Sequence, residues 1–198
     1  MSKIPFKAGT MLYPLPAVMV SCGQTIDEYN IITVAWVGTL ASEPPMCYVS
    51  IRKSRHSHKI ISQSKCFVIN LTTESLARET DWCGVKSGRQ HNKFVEMNLT
   101  PVKAPHIQAP MIDESPLCIE CEVVEVKELG SHDCFIARVV GINAEERYID
   151  AKTGEFDLEK AGLLAYAHGK YYSLGSKLGF FGFSVQKKTA KRQNKKKN

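Results

Sequence analysis

The sequence predicts a mainly β protein with flanking α-helices, its six strands forming a barrel. Short apolar or β-branched runs at 17–22, 31–37, 46–52, 66–71, 118–129 and 134–143 are separated by Gly, Pro, Asn or Asp signals. Alternation of side-chain character within these runs fits strands with one buried face. Between the last two, Gly130-Ser131-His132-Asp133 reads as a hairpin turn.

Taken in order, the second run places Thr33 and Ala35 on one face and Ile32, Val34 and Trp36 on the other. Small residues on the first face let a flat ligand approach the backbone, and Trp36 is expected to pack in the core. In the third run Cys47, Val49 and Ile51 should face the core, while Tyr48, Ser50 and Arg52 look the other way. The fourth ends in Asn70, a further polar group beside that face. Helical signals fill the gaps: Ser54 as cap before 55–64, then 74–81, 90–97 and 158–166. Residues 101–116 hold four of the nine prolines and read as an extended crossing segment.

A length of 198 residues, 43% hydrophobic and 23% charged, suits one domain, assigned to 1–186. The net charge of +6 comes from 187–198, which holds seven Lys or Arg and no acid; without it 19 basic face 20 acidic residues, a net −1. That segment reads as a solvated, disordered basic tail. Nucleic acid is a weaker reading, because no aromatic residue interleaves the charges to stack on bases. No apolar run of signal-peptide or membrane-spanning kind occurs, so a cytoplasmic protein without membrane association is expected. Seven cysteines cannot all pair internally, and most fall in strand-like runs, as buried reduced thiols do. Cys118 and Cys121 have redox or zinc spacing, but strand alternation sends their sulfurs to opposite faces, so no metal site is assigned.

The chemistry concentrates at residues 50–59. Four Lys or Arg, three Ser, two His and no acid lie in this stretch, where a strand empties into the start of a helix. Free helix N–H groups, the positive dipole end and an Arg fork all favour a phosphate there. His56 and His58 point differently at a helix start, and the surrounding cations repel a metal ion. The chain has no Gly-x-Gly fingerprint, no Walker-type loop and no Gly-x-Ser-x-Gly elbow, which disfavours Rossmann enzymes, NTPases and esterases.

An ordered set of segments goes further. Tyr13-Pro14-Leu15-Pro16, Asn30-Ile31-Ile32-Thr33-Val34-Ala35-Trp36, Glu43-Pro44-Pro45-Met46, the basic stretch, Phe67-Val68-Ile69-Asn70, Ser87-Gly88-Arg89, Lys93-Phe94 and Tyr171-Tyr172-Ser173 appear in that order. Together they resemble the flavin reductase-like family of FMN-binding split barrels, flavoredoxins included, over roughly residues 10–185. The resemblance implies a six-stranded Greek-key split barrel binding FMN, as a homodimer with the flavin near the subunit interface. It implies that Asn30, Thr33, Val34, Ala35 and Trp36 border the isoalloxazine or ribityl chain. By the same match Ser50, Arg52, Ser54 and His58 lie on the phosphate side, and Lys93 is a cation on a covering loop. Asn92 stands where the family commonly has Asp, which removes a local ion pair with Lys93 or Arg89.

The implied activity is an oxidoreductase moving electrons from NADH or NADPH to flavin, and onward to a redox protein partner. The alternative is a flavoredoxin-like carrier with tightly bound FMN and no direct NAD(P)H oxidation. Neither needs a catalytic acid or base, since positioning the flavin suffices. The aromatic run at 178–185, with Phe180, Phe181 and Phe183, is expected at a subunit contact.

Overall fold

The structure, a computed structural model, describes residues 1–186. The expected basic tail, 187–198, lies outside the described residues. In chain order the strands are β1 (Leu15–Pro16), β2 (Val18–Cys22), β3 (Asn30–Val34), β4 (Val37–Ser42), β5 (Pro45–Arg52), β6 (Cys66–Leu71), β7 (Pro101–Lys103), β8 (Pro110–Ile112), β9 (Leu117–Leu129), β10 (His132–Ala144), β11 (Leu164–Ala167) and β12 (Lys170–Ser173). The helices are α1 (His56–Ser64), α2 (Ala77–Val85), α3 (Lys93–Glu96) and α4 (Leu158–Ala161).

Seven strands form one antiparallel sheet in the order β3-β2-β6-β9-β10-β5-β4. Its edge strands, β3 and β4, are consecutive in the chain and joined only through Ala35 and Trp36. Two edges separated by two residues must lie side by side, so the sheet curls into a split barrel without closing its hydrogen-bond ladder. At that seam the Ser50 amide donates to the Trp36 carbonyl at 2.8 Å. The expected six strands become seven because the run at 31–37 breaks after Val34. The chain then re-pairs as β4, whose largely exposed residues carry no alternation to betray a strand.

The barrel interior follows the period of two. Val18, Val20, Ile32, Val34, Cys47, Val49, Ile51, Phe67, Ile69, Phe135 and Ala137 belong to one buried cluster, which Ile61 of α1 joins. Cys47, Val49 and Ile51 therefore face the core as their spacing predicts. Cys121 lies inside the barrel, with its sulfur 3.5 Å from that of Cys47, whereas Cys118 packs outside with Val68, Ala104 and Ala109. All seven cysteines are free thiols, six of them buried.

Outside the barrel, Met19 and Ile31 pack against Leu76 and Cys83 near α2 and against Phe94 near α3. The crossing segment is not simply extended: β7 and β8 pair within it. Beneath it the buried Glu120 carboxylate accepts from the His106 amide at 2.8 Å and from Asn143 at 2.8 Å, with His106 Nδ1 3.0 Å away. The helix expected at 158–166 stops at Ala161, because Gly162 adopts a left-handed cap at φ 62°. Beyond it the chain forms a hairpin, β11 and β12, turning through His168 and Gly169 at φ 49° and 73°. With β1 it makes a separate three-stranded sheet.

Candidate functional site

Two adjoining cavities lie along the seam where the barrel fails to close. The larger, about 510 Å³, is walled by Thr33 to Trp36 on one side and by Ser50, Arg52 and Arg55 on another. Tyr13, Tyr166 and Tyr171 from the small sheet line it too, with Asp81 and Gly84 of α2. The smaller, about 260 Å³, is lined by Ser54, Arg55, His56 and Ser57 and by Lys86, Ser87 and Gly88. Ile32, Arg52 and Arg55 belong to the walls of both, so an aromatic chamber adjoins a cationic one.

The wall at Thr33 to Trp36 is smooth for a local reason. Gly84 faces Thr33, where an added Cβ would sit 3.2 Å from the Thr33 Cβ. The Thr33 hydroxyl donates to the Thr80 carbonyl, tying β3 to α2. Val34 turns its side chain into the barrel core, so only its main chain can serve a ligand from that face. Trp36 is not the core residue its alternation predicts: it is half-buried at the cavity, its ring 4.5 Å from that of His132. The strand has ended at Val34, and the period no longer governs position 36. Burial, then the charge of Arg52, lowers the His132 pKa. Across the chamber Tyr166 and Tyr171 are directly paired between β11 and β12. Burial and the nearby Asp81 carboxylate push the Tyr171 phenol up to about 12.

The cationic end is built around the first turn of α1. Arg55 is its N-cap with extended backbone and no side-chain cap bond, which leaves the leading amides without a side-chain acceptor. Asn30 is 3% exposed and donates to Ser57 Oγ at 2.7 Å, fixing β3 to that turn. The loop after α2 presses onto the same amide: a Cβ on Gly88 would lie 2.0 Å from Asn30 Oδ1. Only glycine lets this loop approach so closely.

Two expected site residues behave differently. His58 lines neither cavity; its Nε2 is 2.8 Å from Asp133 Oδ2, and it packs edge-on against Phe135. Residues two apart on a helix diverge, so the basic turn gives the cavity His56 and sends His58 toward β10. Lys93 is not on an exposed covering loop. It is 3% exposed, under the smaller cavity, and its ammonium donates to the Ile31 carbonyl at 2.7 Å and the Cys83 carbonyl at 2.6 Å. Burial lowers its pKa to about 8. Asn92 accepts from the Val95 amide at 3.2 Å and so caps α3, while the Lys93 ammonium is directed to those carbonyl oxygens.

Asn30, Thr33, Val34, Ala35, Trp36, Ser50, Arg52, Ser54 and Lys93 line the adjoining cavities. Sequence reasoning missed Arg55, His56 and Ser57 as wall residues although they stand in the very stretch it singled out. It also missed the three tyrosines. For Tyr166 and Tyr171 the signal was the His168-Gly169 turn, a two-residue hairpin cue that places one opposite the other, whereas Tyr13 comes from just before β1.

The chain belongs to the flavin reductase like domain family, which it matches over residues 10–175. Its structure is similar to the flavoredoxin of Desulfovibrio vulgaris (Miyazaki F), at a TM-score of 0.86 and 28% identity, covering 93% of this chain and 100% of that one. It is also similar to an FMN-binding protein from Thermus thermophilus, at 0.71 and 25%, covering 87% and 93%. A high molecular weight rubredoxin of Moorella thermoacetica is 29% identical over 137 residues, 66% of this chain and 55% of that protein. Family and neighbours support a flavin-binding redox function and a split-barrel fold. No helix among the described residues is long and apolar enough to cross a membrane.

Proposed function

We propose that the adjoining cavities together hold FMN and that the protein is an oxidoreductase reducing it with NADH or NADPH. The observation that carries this reading is the wall the two chambers share, formed by Ile32, Arg52 and Arg55. A planar ring system fits against the flat Thr33 to Trp36 wall, facing the tyrosines. Its phosphate fits the far end, where the wall offers cations, hydroxyls and helix amides and no acid.

In this reading Arg52 and Arg55 hold the anion, and Ser54, Ser87 and the first amides of α1 complete its hydrogen bonds. Asn30 fixes the helix turn through Ser57, and Lys93 braces β3 against α2 from below. Ala35 and Gly84 leave room for a second planar molecule beside the ring, and the tyrosines exclude water from that contact. Bound there, the flavin supplies reversible uptake of a hydride or of single electrons. The chain's own contribution is binding and orientation.

A redox protein as onward acceptor is supported by the relative named as a rubredoxin, and a homodimer by the exposed Phe180, Phe181 and Phe183. The flavoredoxin neighbour keeps a second reading in play, a carrier that holds FMN without oxidising NAD(P)H. The test is the absorbance near ~450 nm, characteristic of oxidised flavin. Anaerobic addition of NADH or NADPH to FMN-loaded protein should bleach it; bleaching by dithionite alone would favour the carrier. Protein that takes up no FMN would refute both.

A further inference from the structure

The cations around the smaller cavity exceed what one phosphate needs. Arg52, Lys53, Arg55, Lys59, Lys86 and Arg89 are all exposed and come from two short stretches that flank it. Their fields converge: besides burial, Arg89, Lys93 and Lys59 each lower the His56 pKa. Of these six, Lys53 finds carboxylates, Glu128 at 2.6 Å and Asp133 at 3.4 Å. Among the described residues no ion pair reaches Arg52, Arg55, Lys59, Lys86 or Arg89, although acids elsewhere pair with Arg138 and Arg147. The imbalance is local, since residues 1–186 carry a net −1.

A bound dianion neutralises two charges. The remainder forms a one-signed rim beside the redox chamber, an arrangement that repels itself and is relieved when an acidic surface covers it. Resting on the flavin reading above, we propose that this rim is the docking surface for a small acidic electron-carrier protein of the rubredoxin type. Lys59 and Arg89 are its outer members. Neither lines a cavity, and Arg89 reaches inward only as far as the Ser54 carbonyl, at 3.4 Å. The step is a one-electron transfer: the reduced flavin loses an electron and the ferric carrier becomes ferrous.

The experiment mixes FMN-loaded, dithionite-reduced protein anaerobically with an oxidised one-iron rubredoxin of acidic pI. The second-order rate constant should fall about tenfold or more between ~50 mM and ~500 mM NaCl, as screening removes the steering field. The double variant Lys59→Glu with Arg89→Glu, saturated with FMN, should lose a similar factor at low salt while its flavin spectrum stays that of wild type. A salt-insensitive rate, a wild-type rate in the variant, or no transfer to the carrier would overturn the docking surface. Wild-type protein that binds no flavin would instead overturn the reading beneath it.

Discussion

Asn30 and Ser57 are 27 positions apart in the chain, yet the Asn30 amide donates to the Ser57 hydroxyl at 2.7 Å and joins an edge strand of the barrel to the first turn of a helix. Gly88 rests on the other side of that amide. The cationic chamber is therefore assembled from three separate stretches meeting at one buried side chain.

Replacing Gly88 with Ala would force a Cβ to within 2.0 Å of Asn30 Oδ1 and displace the loop that closes the chamber. Affinity for FMN, read by fluorescence quenching, should drop about tenfold or more, equivalent to a coupling of ~1–2 kcal/mol. In an Asn30→Ala background the same change should cost much less, because the clashing atoms are gone. Equal losses in both backgrounds would exclude this contact as the cause.

Arg52 belongs to the walls of both chambers. Its replacement by Ala should weaken FMN binding by about 1–3 kcal/mol, as removal of a charge-assisted hydrogen bond does. Riboflavin, which lacks the phosphate, should bind the variant and the wild type alike. A riboflavin loss as large as the FMN loss would move Arg52 from the phosphate to the ring.

Lys93 gives a pH signature. Its folded pKa, lowered by burial to about 8, lies below the ordinary value of 10.5, so between these values the unfolded chain binds more protons and stability rises with pH. The buried thiols of Cys22, Cys83 and Cys118 act oppositely above pH 9; the Lys93 charge lowers the first two, but up to about pH 10 all three stay protonated in either folded protein and so cancel in the difference. The stability difference between wild type and Lys93→Met, from urea titrations, should be flat below about pH 8 and then climb in favour of wild type. A flat difference through about pH 10 would show that the amine titrates normally.

Glu120 tests the fold apart from the site. Burial raises its pKa, but hydrogen bonds from His106 and Asn143 outweigh this and leave it below the ordinary carboxylate value. Glu120→Ala should destabilise the protein by about 1–3 kcal/mol, since the charge-assisted hydrogen bonds from His106 and Asn143 are lost. Its FMN affinity should remain unchanged. The wild type should lose this margin as the pH falls through the lowered pKa, and the variant should not.

Local features were legible in the residues alone. The alternation in 46–52 told which side chains enter the barrel, and the odd spacing of Cys118 and Cys121 told that they part across the sheet. The basic turn at 50–59 announced an anion site, because charge density and a helix start are written in consecutive residues. Tertiary contacts settled the rest. That β3 and β4 become facing edges of one curled sheet depends on which strands pair, and pairing is a non-local choice that no period of two records. For the same reason the inward turn of Lys93, the partnership of His58 with Asp133 and the meeting of the tyrosines with Thr33 across one cavity emerge only in the folded chain. Each is fixed by what arrives from elsewhere in the sequence to satisfy a buried donor or fill a wall.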